Sequence, residues 1–111
     1  MSVTTAQSWE SLPPELSPVR NAIERSRDML RLGENWDTEG GVQISEATWF
    51  RAVGFLMRQA GRLWNQQRKV MDAPDITPVP DGSIDIHWDY PSYELLVNIP
   101  SDENAMAGFL W

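Results

Sequence analysis

The sequence predicts an α+β domain, with two N-terminal helices packed on one face of a three- or four-stranded antiparallel β-meander. Three observations carry this expectation. Apolar residues recur at helical spacing from Val19 to Leu30 and again from Trp49 to Trp64. After Asp72-Ala73-Pro74 the apolar period changes from 3.6 to 2. Turn signals, Pro80-Asp81-Gly82 and Tyr90-Pro91-Ser92, then separate the alternating segments.

Residues 1–16 read as a flexible tail and 17–111 as the single domain, with Trp9 and Leu12 as candidate anchors for the tail. Pro13-Pro14 interrupts regular structure there. Ser17-Pro18 reads as a helix start, a capping hydroxyl followed by proline where its missing N–H costs nothing. Val19, Ala22, Ile23, Ser26, Met29 and Leu30 share one side of this helix, and Gly33 stands where a left-handed residue would close it. Glu34 to Gln43 reads as a loop containing Gly40-Gly41.

Ser45 caps the second helix, with Ile44 and Trp49 placed as a hydrophobic staple. Trp49, Val53, Leu56, Ala60, Leu63 and Trp64 lie on one arc, widened by Phe50 and Met57; Arg51, Arg58, Arg62, Asn65 and Lys69 lie opposite. Gly54 and Gly61, seven apart on the flank, suggest close approach of another backbone, that of the first helix. Asp75 to Val79 then reads as a short edge strand with Pro78 at its margin. Ile84, Ile86 and Trp88 alternate with Asp85, His87 and Asp89, and Tyr93, Leu95, Val97 and Ile99 alternate with Glu94, Leu96 and Asn98. Ala105 to Trp111 is a candidate fourth strand.

A chain of 111 residues fits one domain. It has no cysteine, which excludes disulfides and thiol chemistry, and no apolar run near the ~20 residues of a membrane span. Met1 to Glu10 lacks the basic and apolar regions of a signal peptide, so the expected location is the cytoplasm. All nine Lys and Arg lie between Arg20 and Lys69, whereas the segment from Val70 onward carries eight carboxylates and no cation. The predicted molecule is therefore a charge dipole, basic on its helices and acidic on its sheet. A net charge of −7 disfavours direct binding to nucleic acid or anionic lipid.

Four constellations bear on function. Asp85, His87 and Asp89 share a sheet face near Glu94, a set that suits a metal ion or general base; the alternative is a solvated outer face. Asp37 and Glu39 form a carboxylate pair of the kind glycoside chemistry needs. The alternative there is an aromatic plug, with Trp36 folded under the loop and Asp37 or Asn35 bonding its backbone, and a Gly-Gly loop favours it. The stripe Arg51, Arg58, Arg62 and Lys69 offers cations to phosphate, but it lacks interleaved aromatics and base-reading motifs. Finally, the acidic sheet front can engage a basic groove, and the unbroken lack of cations points to that use, since edge strands usually favour lysine.

The segments Asn35-Trp36-Asp37-x-x-Gly40 and Pro80-Asp81-Gly82-Ser83-Ile84-x-Ile86-x-Trp88 resemble those of a group of small bacterial proteins. That group shares an Asn-Trp-Asp-x-x-Gly loop and a Pro-Asp-Gly-Ser-hydrophobic-x-hydrophobic-x-Trp hairpin. The resemblance spans residues 28–99. It implies a bacterial or phage origin, in some members a mobile-element or toxin–antitoxin setting, and no reaction. It marks Trp36, Asp37, Gly82 and Trp88 as structural landmarks.

The functional expectation is a non-enzymatic, antitoxin-like or inhibitor-like module without a cofactor. Asp81, Asp85, His87, Asp89 and Glu94 would meet a basic protein partner, with apolar contact from Leu96, Phe109 and Trp111. A homodimer or subunit of a larger complex is one alternative, and a small metal-dependent enzyme centred on His87 is another.

Overall fold

The structure, a computed structural model, describes residues 12–102 and the backbone of 108–110. A 3-10 turn, Pro14–Leu16, leads directly into α1 (Ser17–Ser26), which continues as a 3-10 stretch over Arg27–Arg31. Helix α2 covers Glu46–Gln67. Strands β1 (Asp75–Pro78), β2 (Ile84–Tyr90), β3 (Tyr93–Ile99) and β4 (Gly108–Leu110) form one antiparallel sheet in chain order. The class is α+β, as expected.

The start of α2 follows the sequence signals. Ser45 Oγ accepts the Thr48 N–H at 3.1 Å, satisfying one orphan donor of the first turn. Ile44 and Trp49, on either side of this cap, are both buried. The helix ends at Arg68, whose left-handed backbone (φ 53°) turns its N–H onto the carbonyls of Leu63 and Trp64.

The start of α1 differs. Ser17 is itself a helical residue, its N–H bonds to Pro14 O, and no side chain caps the helix. The preceding 3-10 turn supplies the carbonyl that a cap would otherwise replace. Leu16 is only 1% exposed and belongs to the core, and Leu12 packs against it. The folded body thus includes residues 12–16, ahead of the boundary placed after residue 16. Residues 1–11, Trp9 among them, lie outside the described residues.

Two glycine expectations are overturned. Leu32 leaves the 3-10 stretch in extended geometry (φ −70°, ψ 127°), so no left-handed closure falls on Gly33. At Gly61 an added Cβ would meet nothing within 4 Å, and at Gly54 it would meet only the Arg58 guanidinium at 3.4 Å. Among the described residues no other segment's backbone comes within 4 Å of either position.

The core gathers Val19 and Ile23 from α1, Trp49, Val53, Leu56 and Ala60 from α2, and Ile84, Ile86, Trp88, Val97 and Ile99 from the sheet. Each large aliphatic buried here contributes about 1.5–3 kcal/mol. Phe50 does not join the buried arc; it stays exposed, edge-on to Trp49 with ring centroids 5.1 Å apart. Pro91-Ser92 closes the β2–β3 hairpin between Tyr90 and Tyr93, whose rings stack at 4.8 Å.

Candidate interaction surface

Alternation along β2 buries Ile84, Ile86 and Trp88 and turns Asp85, His87 and Asp89 to the opposite face. Strand register completes that face. Asp75 pairs with His87 and Thr77 with Asp85 across β1–β2, while Asp85 pairs with Asn98, His87 with Leu96, and Asp89 with Glu94 across β2–β3. Asp75, Asp85, Asp89 and Glu94 thereby share a face with the half-buried Leu96, whose neighbour across β2 is His87.

These side chains divide by their contacts. His87 Nε2 and Glu94 Oε1 share a hydrogen bond of 2.7 Å. Asp85 Oδ1 accepts from Asn98 Nδ2 at 2.8 Å, and the same amide donates to Ser83 Oγ at 3.0 Å. Asp89 stands exposed and directly opposite Glu94, a like-charge pairing that works against the hairpin. Among the described residues no lysine or arginine forms an ion pair with this face.

Asp81 stands apart from the strand rows, in the turn between β1 and β2. Its Oδ1 accepts both the N–H (2.9 Å) and the hydroxyl (2.5 Å) of Ser83. Those two bonds hold its carboxyl below the ordinary range. Gly82, at φ 91°, provides the left-handed backbone this turn requires. Leu96 pairs with Leu110 and Val97 with Phe109 through the backbone. The Phe109 side chain and Trp111 lie outside the described residues.

An open cleft of about 470 Å³ runs from the acidic face to α1, lined among others by Asp75, Asp85, His87, Leu96, Ala22 and Arg25. A second, more apolar groove of about 570 Å³ lies between α2 and the β2–β3 hairpin, lined by Leu63, Met71, Trp88, Tyr90, Tyr93 and Leu95 among others. Sequence reasoning did not single out this groove. Its signal was the aromatic cluster Trp88, Tyr90 and Tyr93 at one end of the sheet. Burial there, with the nearby Asp72 charge, pushes the Tyr90 hydroxyl above its ordinary range.

The other constellations resolve into architecture. Asp37 Oδ1 accepts the N–H groups of Glu39 (2.9 Å) and Gly41 (2.7 Å), and Asn35 Oδ1 accepts that of Gly40. Trp36 Nε1 donates to Val42 O at 2.9 Å. The loop is closed by its own side chains, with Trp36 half-buried beside it. In the basic stripe, Arg51 is half-buried and donates to Pro100 O (2.7 Å) and Ser101 O (3.3 Å), tying α2 to the end of β3. Nothing in the sequence separated it from Arg58, Arg62 and Lys69, which remain exposed. Among the described residues no three His, Asp or Glu side chains gather to hold a metal ion. No helix among them is long and apolar enough to cross a membrane.

Comparison with models of protein families, with curated proteins and with solved structures returned no match.

Proposed function

We propose that this chain is a non-enzymatic, antitoxin-like or inhibitor-like module of a bacterial or phage system that docks its acidic sheet face on a basic protein partner, of which a nucleic-acid-binding protein is one kind. The reading takes the helices to pack on a meander, with α1 bordering the acidic face at the β1 side and Asp89 and Glu94 exposed. One observation carries it. Asp89 and Glu94 face each other in register at the exposed hairpin end, with no lysine or arginine paired to either among the described residues and only His87 bonded to Glu94. Such an arrangement disfavours the isolated fold and is relieved by a partner that brings positive charge. Leu96, half-buried on the same face, supplies an apolar contact for the same partner.

Long-range attraction between the two surfaces would speed encounter and make it salt-sensitive. The test is affinity capture with the wild-type chain and with the triple variant Asp85→Asn, Asp89→Asn, Glu94→Gln, followed by association kinetics on the captured protein. The wild type is expected to lose about tenfold or more in on-rate as salt rises from about 0.05 to 0.5 M. An on-rate indifferent to both salt and neutralisation rejects the proposal.

A further inference from the structure

Among the described residues the large apolar side chains left exposed are Val42, Phe50, Val70 and Tyr93. Val70 (43% exposed) and Tyr93 (54%) both line the apolar groove between α2 and the β2–β3 hairpin. At about 570 Å³ that groove has the size of sites that hold a small organic group. Phe50 (47%) stands out from α2 as a knob. Phe50 and Gln59, which lines the groove, are nine residues apart, about two and a half turns, so knob and groove lie on opposite sides of the helix. Phe50 of one copy therefore cannot enter the groove of the same copy.

Charges flank the two features in matching order. Glu46 lies one turn before Phe50 on the same side of α2 and is exposed. One turn after Phe50 is Gly54, where the Arg58 guanidinium lies close enough that an added Cβ would meet it at 3.4 Å. The knob is thus bracketed by an anion and a cation about 12 Å apart along the helix. The groove is edged by Lys69 and Asp72, three residues apart, a span of at most about 10 Å of chain. Long side chains bridge the small difference in spacing. Among the described residues none of these four charges belongs to an ion pair.

We propose that the groove takes Phe50 of a second copy of this chain, with Glu46 set against Lys69 and Arg58 set against Asp72. Burial of the phenyl ring supplies the attraction, and the two opposite-charge pairs fix its direction. Because knob and groove are different surfaces, the contact is heterologous, and repeated contacts build a ring or an open chain of copies. The net charge of −7 opposes association at long range, but near physiological salt it is screened within about 8 Å, where the facing charges are opposite in sign. The acidic face of Asp85, Asp89 and Glu94 takes no part in this contact. An assembly would present several such faces together to one partner.

The test is sedimentation velocity on the full chain from about 0.01 to about 1 mM at physiological salt. The average mass of the wild type is expected to rise with concentration. Phe50→Ser removes the knob, and Val70→Gln with Tyr93→Gln makes the groove edge polar; each change falls on exposed side chains. Each variant alone is expected to associate at least tenfold more weakly. Their equimolar mixture is expected to form a complex that stops at two chains, since one variant keeps only the groove and the other only the knob. Glu46→Lys and Lys69→Glu are each expected to weaken association, and the two changes in one chain to restore it.

A wild type that stays monomeric at about 1 mM overturns the proposal. So does association that survives Phe50→Ser, or a mixture that fails to pair while the Glu46–Lys69 exchange restores nothing. The triple variant Asp85→Asn, Asp89→Asn, Glu94→Gln is expected to self-associate like the wild type. If it alone abolishes association, the acidic face makes the contact and the knob and groove do not. Loss of self-association with salt-sensitive capture of a basic protein intact leaves the docking reading standing, and the reverse result leaves this one.

Discussion

Trp49 Nε1 donates a 2.8 Å hydrogen bond to Ser26 Oγ, joining the first turn of α2 to the last residue of α1. Both residues are buried, and Ser26 Oγ in turn donates to Ile23 O at 2.6 Å. The bond lets a large indole enter the core with its polar edge satisfied. Ser26→Ala removes the acceptor at almost constant volume. It is expected to lower stability by about 1–3 kcal/mol in urea unfolding, with Trp49 fluorescence reporting the altered environment.

Gly41 is constrained by contact, since a Cβ there would stand 2.7 Å from Asp37 Oδ1 and 3.0 Å from Trp36 Nε1. Gly41→Ala must push the Asp37 carboxylate away from the two N–H groups it holds. The expected cost is about 1–3 kcal/mol, read as a lowered urea midpoint with an unchanged slope. Gly61→Ala, at an open helical position, is expected to stabilise by up to about 1 kcal/mol.

The turn at Asp81 makes stability depend on acid. The ionised carboxylate accepts two bonds from Ser83, so its folded titration lies below that of the unfolded chain. The contribution is complete above the unfolded value of about 4 and disappears as pH falls through the lower folded value. Asp81→Asn should therefore flatten the acid limb of a stability–pH profile and leave the neutral limb parallel to wild type.

Tyr90 acts at the other end of the scale. Burial favours its neutral phenol, so the folded titration lies above that of the unfolded chain. Its contribution is intact below about pH 10 and is lost as pH rises through the folded value. Tyr90→Phe is expected to reduce the alkaline loss of stability, followed by thermal melts from pH 8 upward.

Asp89→Lys separates folding from docking. Placing an opposite charge across from Glu94 is expected to stabilise the hairpin by a few tenths to about 1 kcal/mol. The same variant is expected to slow association with a basic partner. A variant that is more stable and binds equally well would show that the Asp89–Glu94 repulsion has no role in recognition.

By itself, the sequence determined the local periodicities and their punctuation. Alternation across Ile84, Ile86 and Trp88 told which face of β2 is buried, because side chains on a strand point to opposite sides by geometry alone. Ser45 announced the start of α2, because its hydroxyl acts within one turn. Asn35 and Asp37 were legible as loop closers for the same reason of short range. Only the tertiary structure decided the long-range roles. It turned Arg51 from one cation of a stripe into a clamp on Pro100 and Ser101, reached Trp49 across to Ser26, and brought no other described backbone within 4 Å of Gly54 or Gly61. It also set Asp89 against Glu94. These relations depend on how separate elements are oriented in space, and packing of the whole core fixes that orientation; no spacing within one segment encodes it.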